Sequence, residues 1–195
     1  MIIAKKDITG VILAGGKGRR MGGVDKGLVE YQQRPLIAHV IERLEPQVGG
    51  LLINANRNAD KYQEYGFPVI ADQLADYQGP LAGFSVAMLA AKTDYVLTVP
   101  CDGPLLPHDL VSRMVKNMHE ENTDIAVAHD GERLQSVYAL IKRDLLPSLQ
   151  ACIQSGHRRV DAWYATQQTT LADFSDTPES FFNVNFPEDR DDKRA

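Results

Sequence analysis

The sequence predicts an α/β fold in which helices pack against a mainly parallel sheet. Strand-like apolar runs alternate with helical patterns along the first half of the chain, which is the order that βαβ units produce. Residues 95–99 are apolar at nearly every position, as expected of a strand that is buried on both faces. At 195 residues the chain is long enough for one domain with a substantial core.

The first half of the chain follows this alternation element by element. Apolar periodicity and turn residues predict four strands, at 9–13, 51–54, 69–70 and 95–99. Each strand is followed by a predicted helix, at 35–44, 60–65, 81–91 and 109–118. Pro35 suits the first turn of its helix, where a backbone N–H would have no partner in any case.

The pattern changes after residue 118. We predict strands at 124–128 and 136–141 around a turn at Asp130 and Gly131. Helices at 144–153 and 160–164 and a late strand at 182–185 complete the prediction. Residues 188–195 are almost all charged, and we expect a disordered tail there.

Composition and charge exclude several classes of protein. A net charge of −5 argues against general nucleic-acid binding. No apolar stretch approaches the ~20 residues that span a bilayer, and the first residues lack the order of a signal peptide. We therefore expect a cytoplasmic protein without a membrane partner. Two cysteines make no disulfide framework, and Cys101 is typical of a small buried residue at a strand end.

A glycine-rich loop that directly follows the first strand is the most informative segment. Five glycines lie between positions 15 and 23, interleaved with the cations Lys17, Arg19, Arg20 and Lys26. Glycine lets backbone N–H groups approach a ligand closely, and the cations attract phosphate. The loop is either a solvated surface loop or a site for a polyanion such as a nucleoside triphosphate. Its position after a strand favours the second alternative.

The loop fits neither of two widespread phosphate-binding motifs. The dinucleotide motif G-x-G-x-x-G requires glycine where Met21 stands. The P-loop requires Ser or Thr after its lysine, but Lys26 precedes Gly27.

The loop instead resembles the signature loop of Rossmann-like nucleotidyltransferases, because residues 13–22 follow the pattern L-A-G-G-x-x-x-R-M-G. Its continuation Asp25-Lys26-Gly27-Leu28 is similar to that of the molybdenum cofactor guanylyltransferases. Further matching segments occur in the same order, at 35–36, 54–56, 72, 79–83, 100–104 and 183–185. The resemblance implies a Rossmann-like, doubly wound sheet with a small inserted substrate-binding section. It also implies transfer of GMP from GTP to the terminal phosphate of molybdopterin, with Mg²⁺ as cofactor.

The resemblance also implies a division of this single domain. The nucleotide-binding part covers about 7–104, the molybdopterin-binding part about 105–187, and the charged tail 188–195. We expect GTP to contact the loop residues Leu13, Ala14, Gly15 and Gly16, and Gly79 to shape a helix N-terminus beside the nucleotide. Arg20 and Lys26 are the predicted catalytic phosphate contacts, whereas Lys17 and Arg19 are expected to be solvated charges or charges that steer the ligand.

Three polar residues stand at predicted strand ends, namely Asn54, Asp72 and Asp102. The carboxyl ends of parallel strands share one edge of the sheet, next to the glycine loop. No helical pattern begins close enough for Asp102 to be a cap, so we interpret it as a catalytic Mg²⁺ ligand, the role that the resemblance also assigns. Asp72 either caps a helix or, as the resemblance implies, accepts two N–H groups of guanine. The resemblance also implies that Asn54 orients the base or the ribose.

Asn183 and Asn185 flank an apolar residue, so in a strand both amides would face the same side. They either make backbone bonds at a sheet edge or, as the resemblance implies, help to hold molybdopterin. Phe186 stands where the family usually has Thr, with little expected consequence. Arg158 and Arg159 form either a second basic spot or a solvated helix start.

Alternatives to guanylyl transfer remain at this point. The chain could transfer CMP to molybdopterin or a nucleotide to a sugar phosphate, although such relatives usually carry Ala-Ala-Gly in place of Ala14-Gly15-Gly16. It could also bind GTP without catalysis, or deliver its product to molybdoenzymes, their chaperones or other cofactor-biosynthesis proteins.

Overall fold

A computed structural model of the chain describes residues 3–16, 24–72, 79–185 and 189. The strands are β1 Ile8–Leu13, β2 Glu30–Tyr31, β3 Arg34–Pro35, β4 Gly50–Asn54, β5 Val69–Ile70, β6 Tyr95–Pro100, β7 Ile125–His129, β8 Leu134–Lys142 and β9 Thr169–Asp173. The helices are α1 Leu36–Leu44, α2 Ala59–Gln63, α3 Pro80–Ala90, α4 Leu110–Glu121, α5 Leu146–Gln154 and α6 Val160–Tyr164. None of the described helices is long and apolar enough to cross a membrane.

Seven strands form one sheet in the order β5-β4-β1-β6-β8-β7-β9. Every neighbouring pair is parallel except the two pairs that β8 makes with β6 and β7. The sheet is therefore mainly parallel, and the predicted doubly wound α/β class is confirmed.

Helices cover both faces of the sheet because alternate strand residues point to opposite sides. On one face, Ile8 and Ile12 of β1 belong to a core that includes residues of α1 and α4. On the other face, Val11 packs in a second core with Leu81 and Phe84 of α3. The second core also holds residues of α5 and α6, so the two layers fix the sheet from both sides.

Three features of the structure differ from the sequence predictions, and the first is that the short antiparallel pair of β2 and β3 was not predicted. The late strand predicted at 182–185 is wrong, because this segment pairs with no strand and is tied down by the bond from the Val184 N–H to the Asp102 carbonyl (3.0 Å). Strand β9 was not predicted, because its sequence Thr-Thr-Leu-Ala-Asp has only one long apolar residue. Apart from Asp189, the predicted disordered tail lies outside the described residues.

The antiparallel strand β8 carries an irregularity next to the carboxyl end of β6. Val127 pairs with Ala139 but Ala128 pairs with Gln135, so three residues of β8 are left out of the ladder with β7. Such bulges bend a strand and re-aim its side chains, and they are frequent beside active sites.

Candidate active site

A cavity of about 820 Å³ opens at the carboxyl edge of the parallel strands. The ladder register explains why residues that are distant in sequence meet there. Leu13 at the end of β1 pairs with Asn54 of β4 and with Pro100 of β6, and Asn54 pairs with Ile70 of β5. Four strands thus end at the same level, and the residues that follow them surround one space. This is where ligands bind in open α/β sheets.

Lys26 and Asp102 lie in direct contact in this cavity. The Lys26 ammonium group is 2.8 Å from Asp102 Oδ2 and also donates to Asn185 Oδ1 at 2.8 Å. The pair is partly shielded, since the two side chains expose 23% and 15% of their surface. A charge pair at a strand edge, with one face open to a cavity, can meet a phosphate and a cation together.

Asp25, immediately before Lys26, accepts hydrogen bonds from two side chains. Its Oδ1 accepts a hydrogen bond from the Tyr62 hydroxyl (2.5 Å), and its Oδ2 accepts one from Asn58 Nδ2 (2.9 Å). Gly27 is required next to this cluster, because a Cβ there would lie 2.6 Å from the Tyr62 hydroxyl oxygen. Sequence reasoning did not single out Tyr62 or Asn58, since neither belongs to a motif.

A second cluster forms at the ends of β4 and β5. The Asp72 carboxylate accepts hydrogen bonds from Asn54 Nδ2 (3.0 Å) and from Asn56 Nδ2 (2.8 Å), one on each oxygen. The Asp72 N–H in turn donates to Asn56 Oδ1 (2.8 Å). Asn54 is only 2% exposed, and the bonds on both oxygens restrain the Asp72 carboxylate. Asn56 was not identified as a site residue from sequence.

Glycines allow the backbone to pack tightly around this amide cluster. A Cβ on Gly15 would lie 2.8 Å from Asn56 Nδ2, and a Cβ on Gly83 would lie 2.9 Å from Asn54 Oδ1. Gly79 has a φ of 75°, in the left-handed region that favours glycine, and precedes Pro80 at the start of α3. The N-terminus of α3 therefore opens at the cavity beside the cluster, as predicted for Gly79.

The opposite wall of the cavity comes from the start of β8. The six consecutive residues 133–138 line it, which a regular strand with alternating faces would not allow. The bulge thus turns Tyr138 toward the cavity. Within the described part of the chain, the Tyr138 hydroxyl and Asn183 Oδ1 are buried and have no hydrogen-bond partner.

Asp130 organises the turn that leads into this wall. Its carboxylate accepts bonds from the N–H groups of Glu132 (2.9 Å) and Arg133 (2.8 Å) and from Gln135 Nε2 (2.6 Å). Burial raises the pKa of Asp130, but the backbone bonds from Arg133 and Glu132 outweigh it and hold this pKa below its usual value. The side chain of Gln135, which lines the cavity, is thereby fixed by an ionised carboxylate.

The structure brings the described residues of the predicted site into this one cavity. Its lining includes Leu13, Ala14, Gly15, Gly16, Lys26, Asn54, Asp72, Gly79, Asp102, Asn183 and Asn185. Arg20, Lys17 and Arg19 lie outside the described residues. Asn183 and Asn185 both line the cavity although their segment is not the predicted strand, and the Asn185 amide donates to the Asn183 carbonyl (3.3 Å).

Arg158 and Arg159 fit the helix-start interpretation. Arg159 is the residue before α6 and forms an ion pair with Asp161. Arg158 donates to the carbonyls of Ile153 (3.2 Å) and His157 (2.9 Å). Neither arginine lines the cavity.

Cys101 lies at the floor of the cavity and is 6% exposed. Burial raises the pKa of its thiol well above the usual value, and the carboxylates of Asp102 and Asp25 raise it further. The group therefore stays a neutral thiol at physiological pH. This agrees with the prediction of a small buried residue.

Comparison with known proteins matches this fold and sequence to one family. The MobA-like NTP transferase domain matches residues 10–170. The chain is 53% identical to the molybdenum cofactor guanylyltransferase of Shewanella sediminis (strain HAW-EB3), over 94% of this chain and 93% of that protein. It is 52% identical to the protein of the same name from Shewanella halifaxensis (strain HAW-EB4), over 94% and 92%.

A solved structure shares the fold at low sequence identity. The molybdopterin-guanine dinucleotide biosynthesis protein A of Archaeoglobus fulgidus superposes with a TM-score of 0.75 at 20% identity, covering 93% of this chain and 94% of that one. The chain belongs to the MobA-like NTP transferase family, within which its curated relatives are molybdenum cofactor guanylyltransferases. It is therefore a nucleotidyltransferase of molybdenum cofactor biosynthesis, and the predicted family resemblance is confirmed.

Proposed function

We propose that this chain transfers GMP from GTP to the terminal phosphate of molybdopterin, releasing pyrophosphate and forming molybdopterin guanine dinucleotide. The observation that carries the proposal is the Lys26–Asp102 pair, which lies in the cavity between two different polar surfaces. One surface is the Asp72 amide cluster, and the other is the wall of residues 133–138 with Asn183 and Asn185. Each surface takes one substrate, and the reaction occurs between them.

In this proposal, Asp72 recognises the guanine base by hydrogen bonding. A carboxylate has about four acceptor positions, and the amides of Asn54 and Asn56 occupy one on each oxygen. Both oxygens retain a free position, so the N1–H and the exocyclic amine of guanine can each donate to one. Adenine and cytosine lack this pair of donors and would leave the carboxylate unpaired.

The phosphates of GTP lie along the glycine loop and reach Lys26. Backbone N–H groups at Gly15 and Gly16 approach the ligand, while Lys26 supplies a positive charge. Arg20, outside the described residues, is proposed as a second phosphate contact. The N-terminus of α3 at Gly79 adds a further favourable dipole on the same side.

Asp102 fits the role of a magnesium ligand. Lys26 engages Oδ2, and no other described residue bonds to the carboxylate, so Oδ1 can take a cation. No cluster of three or more His, Cys, Asp or Glu residues able to hold a metal occurs within the described residues. This suits Mg²⁺, which is usually held by one or two carboxylates together with substrate phosphates. When bound, Mg²⁺ would neutralise charge that develops on the phosphates.

The reaction needs no catalytic base. The nucleophile is a phosphate monoester whose second pKa is about 6, so it is mostly dianionic at neutral pH. Cys101 stays protonated, as its raised pKa shows, and is not a competing nucleophile. The work of the site is to bring two polyanions together and to stabilise the transition state by charge and position. Lys26 and the loop N–H groups do this.

The molybdopterin side of the proposal rests on the second wall. Asn183 and Asn185 hold the pterin next to Lys26, within the part of the chain from about 105 to 187. The nucleotide part then extends over about 7–104. A cytoplasmic location and delivery to molybdoenzymes or their chaperones stay predictions from sequence.

Nucleotide binding measured by calorimetry in the presence of Mg²⁺ tests the first half of the reaction. GTP should bind, CTP and ATP should bind at least about 10-fold more weakly, and Asp72→Ala should abolish most of this preference. The exposed α2 residue Asp60 offers a control, since Asp60→Ala should bind GTP like the parent chain. Preference for CTP or ATP would contradict guanylyl transfer. Failure of every nucleotide to bind would contradict the assignment of the cavity.

A further inference from the structure

We propose that Tyr62 and Asn58 are positioning residues that fix the place of the Lys26 ammonium group by holding the Asp25 carboxylate. The inference rests on the proposed function, because it concerns how Lys26 is presented to the reacting phosphates. Neither residue lines the cavity. Both act through Asp25, which also lies outside the cavity lining.

The first step is that the Asp25 carboxylate has little freedom. It is 7% exposed, and a carboxylate so far from water is stable only when it is well hydrogen-bonded. The Tyr62 hydroxyl donates to Oδ1 at 2.5 Å, and Asn58 Nδ2 donates to Oδ2 at 2.9 Å. Both oxygens are engaged, so the side chain is fixed from two directions.

The second step is that the backbone of Asp25 is bonded into the turn that carries Lys26. The Asp25 carbonyl accepts a bond from the Leu28 N–H (3.1 Å) and so closes the short 3₁₀ turn Lys26–Leu28. Gly27 at the centre of the turn packs directly on the Tyr62 ring, where a Cβ would lie 2.6 Å from the hydroxyl oxygen. The turn that carries Lys26 therefore packs against the buried ring of Tyr62.

The third step is that the same segment also touches the start of the glycine loop. Arg57 Nη2 donates to the Gly16 carbonyl at 3.2 Å, one residue before Asn58. Asn58 has a φ of 49°, in the left-handed region, which directs the chain into α2. The connection from β4 to α2 thus contacts the loop at Gly16 and again at Asp25, on either side of residues 17–23, which lie outside the described part of the chain. These contacts restrain the backbone at Lys26.

These contacts matter because lysine is a flexible side chain. Its four-carbon stem has many rotamers, yet the ammonium group must lie within hydrogen-bond distance of Asp102 and of the phosphates. Displacing a catalytic group by about 1 Å can cost on the order of 100-fold in rate. Loss of one of the two bonds to Asp25 should therefore lower turnover while leaving the guanine site unchanged.

The variant Tyr62→Phe tests this inference, with Tyr65→Phe as the matched control. Tyr65 is close in sequence and packs against the same core, but it makes no bond to Asp25. We expect Tyr62→Phe to lower kcat about 10-fold, with the Kd for GTP unchanged within about 2-fold and Tyr65→Phe like the parent. An unchanged kcat in Tyr62→Phe would overturn the inference.

A double variant separates positioning of Lys26 from a general effect on folding. In a Lys26→Ala background there is no ammonium group to place, so adding Tyr62→Phe should cause no further loss of turnover. The same 10-fold loss in both backgrounds would show that Tyr62 acts by another route.

A readout without turnover keeps this inference distinct from the proposed function. NMR spectra would be recorded on protein that is isotope-labelled at the lysine ε-carbons, and the Lys26 resonance would be assigned by its loss in Lys26→Arg. This resonance should shift in Tyr62→Phe and stay in place in Tyr65→Phe. Absence of GMP transfer by the parent chain would refute the proposed function, whereas an unshifted Lys26 resonance would refute the positioning role. If Tyr62→Phe fails to fold, the exposed Asn58 permits the same measurements with Asn58→Gly, which keeps the left-handed backbone and removes the bond to Asp25, and an unaltered Lys26 signal there has the same meaning.

Discussion

The two walls of the cavity are built in different ways. On the side of Asp72, the strands are parallel and the polar side chains at their ends bond to one another, as Asp72 does with Asn54 and Asn56. On the opposite side, the antiparallel strand β8 bulges, and the Tyr138 hydroxyl and Asn183 Oδ1 have no partner among the described residues. The first wall is pre-organised by its own hydrogen bonds, whereas the second contains two buried polar atoms that no described residue satisfies.

This difference has an energetic meaning. A paired cluster is rigid and selects a ligand by shape and by the acceptor positions that remain. An unpaired buried polar atom costs stability, typically about 1–3 kcal/mol, and such costs are often found at functional sites. Substitutions should therefore affect the two walls differently.

Removal of the Asp102 carboxylate should have the largest effect, because Asp102 pairs with Lys26 in the cavity and is the proposed magnesium ligand. Asp102→Ala should lower turnover by at least about 100-fold while its far-UV circular dichroism stays that of the parent chain. Asp109→Ala, at an exposed carboxylate at the start of α4, is the control and should keep its activity. Substantial turnover by Asp102→Ala would refute its assignment as the metal ligand.

Crowding of the paired wall should come next in magnitude. In Gly15→Ala the new Cβ would lie 2.8 Å from Asn56 Nδ2, so the amide must move and release Asp72. We expect GTP to bind about 10-fold more weakly, equivalent to about 1.4 kcal/mol. Gly50→Ala is the comparison, since a Cβ on Gly50 meets nothing within 4 Å. Equal GTP affinities in the two variants would mean that the amide cluster does not shape the nucleotide site.

Truncation in the open wall should affect the other substrate. Asn183→Ala removes an amide that contacts neither Lys26 nor Asp72 in the structure, so GTP affinity should not change. The KM for molybdopterin should rise by about 5- to 10-fold, the usual effect of one lost hydrogen bond to a ligand. Steady-state kinetics with each substrate varied in turn will show whether the effect falls on this side alone. A change confined to the KM for GTP would contradict the division of the cavity.

The smallest expected effect is on stability. Tyr138→Phe removes a buried hydroxyl without a partner, so the variant should be more stable by about 1 kcal/mol, with Tm higher by about 2–4 °C. Gly103→Ala should destabilise the protein, because its Cβ would lie 2.1 Å from the Tyr138 hydroxyl oxygen. Combining the two substitutions should restore part of the loss. Thermal unfolding of the three variants would measure these changes in Tm. A lower Tm in Tyr138→Phe would contradict the expectation and would mean that the hydroxyl makes a stabilising hydrogen bond.

The meeting of the polar residues on the Asp72 side of the cavity was largely predictable from sequence, because the ends of parallel strands lie at one edge of the sheet. Polar residues that follow apolar runs, such as Asn54 and Asp102, must meet at the carboxyl edge once the strands are parallel. Lys26 was predicted from the glycine-rich loop, and the structure places it against Asp102.

The opposite wall was less predictable because its geometry depends on tertiary contacts. Nothing in the sequence of β8 indicates a bulge, and Tyr138 resembles an ordinary core residue. The segment at Asn183 alternates polar and apolar residues as a strand does, but the backbone instead bonds to the Asp102 carbonyl. Tyr62 and Asn58 were missed for a similar reason, since their partner Asp25 is distant in sequence and buried only in the folded chain.

The most direct test of the proposed reaction is turnover by the purified chain. It would be incubated with molybdopterin, Mg²⁺ and either GTP, CTP or ATP, and the pterin product would be identified by mass spectrometry. The account predicts molybdopterin guanine dinucleotide and pyrophosphate from GTP, and only trace product from CTP or ATP. A cytosine or adenine dinucleotide as the main product, or no product from GTP that binds normally, would contradict it.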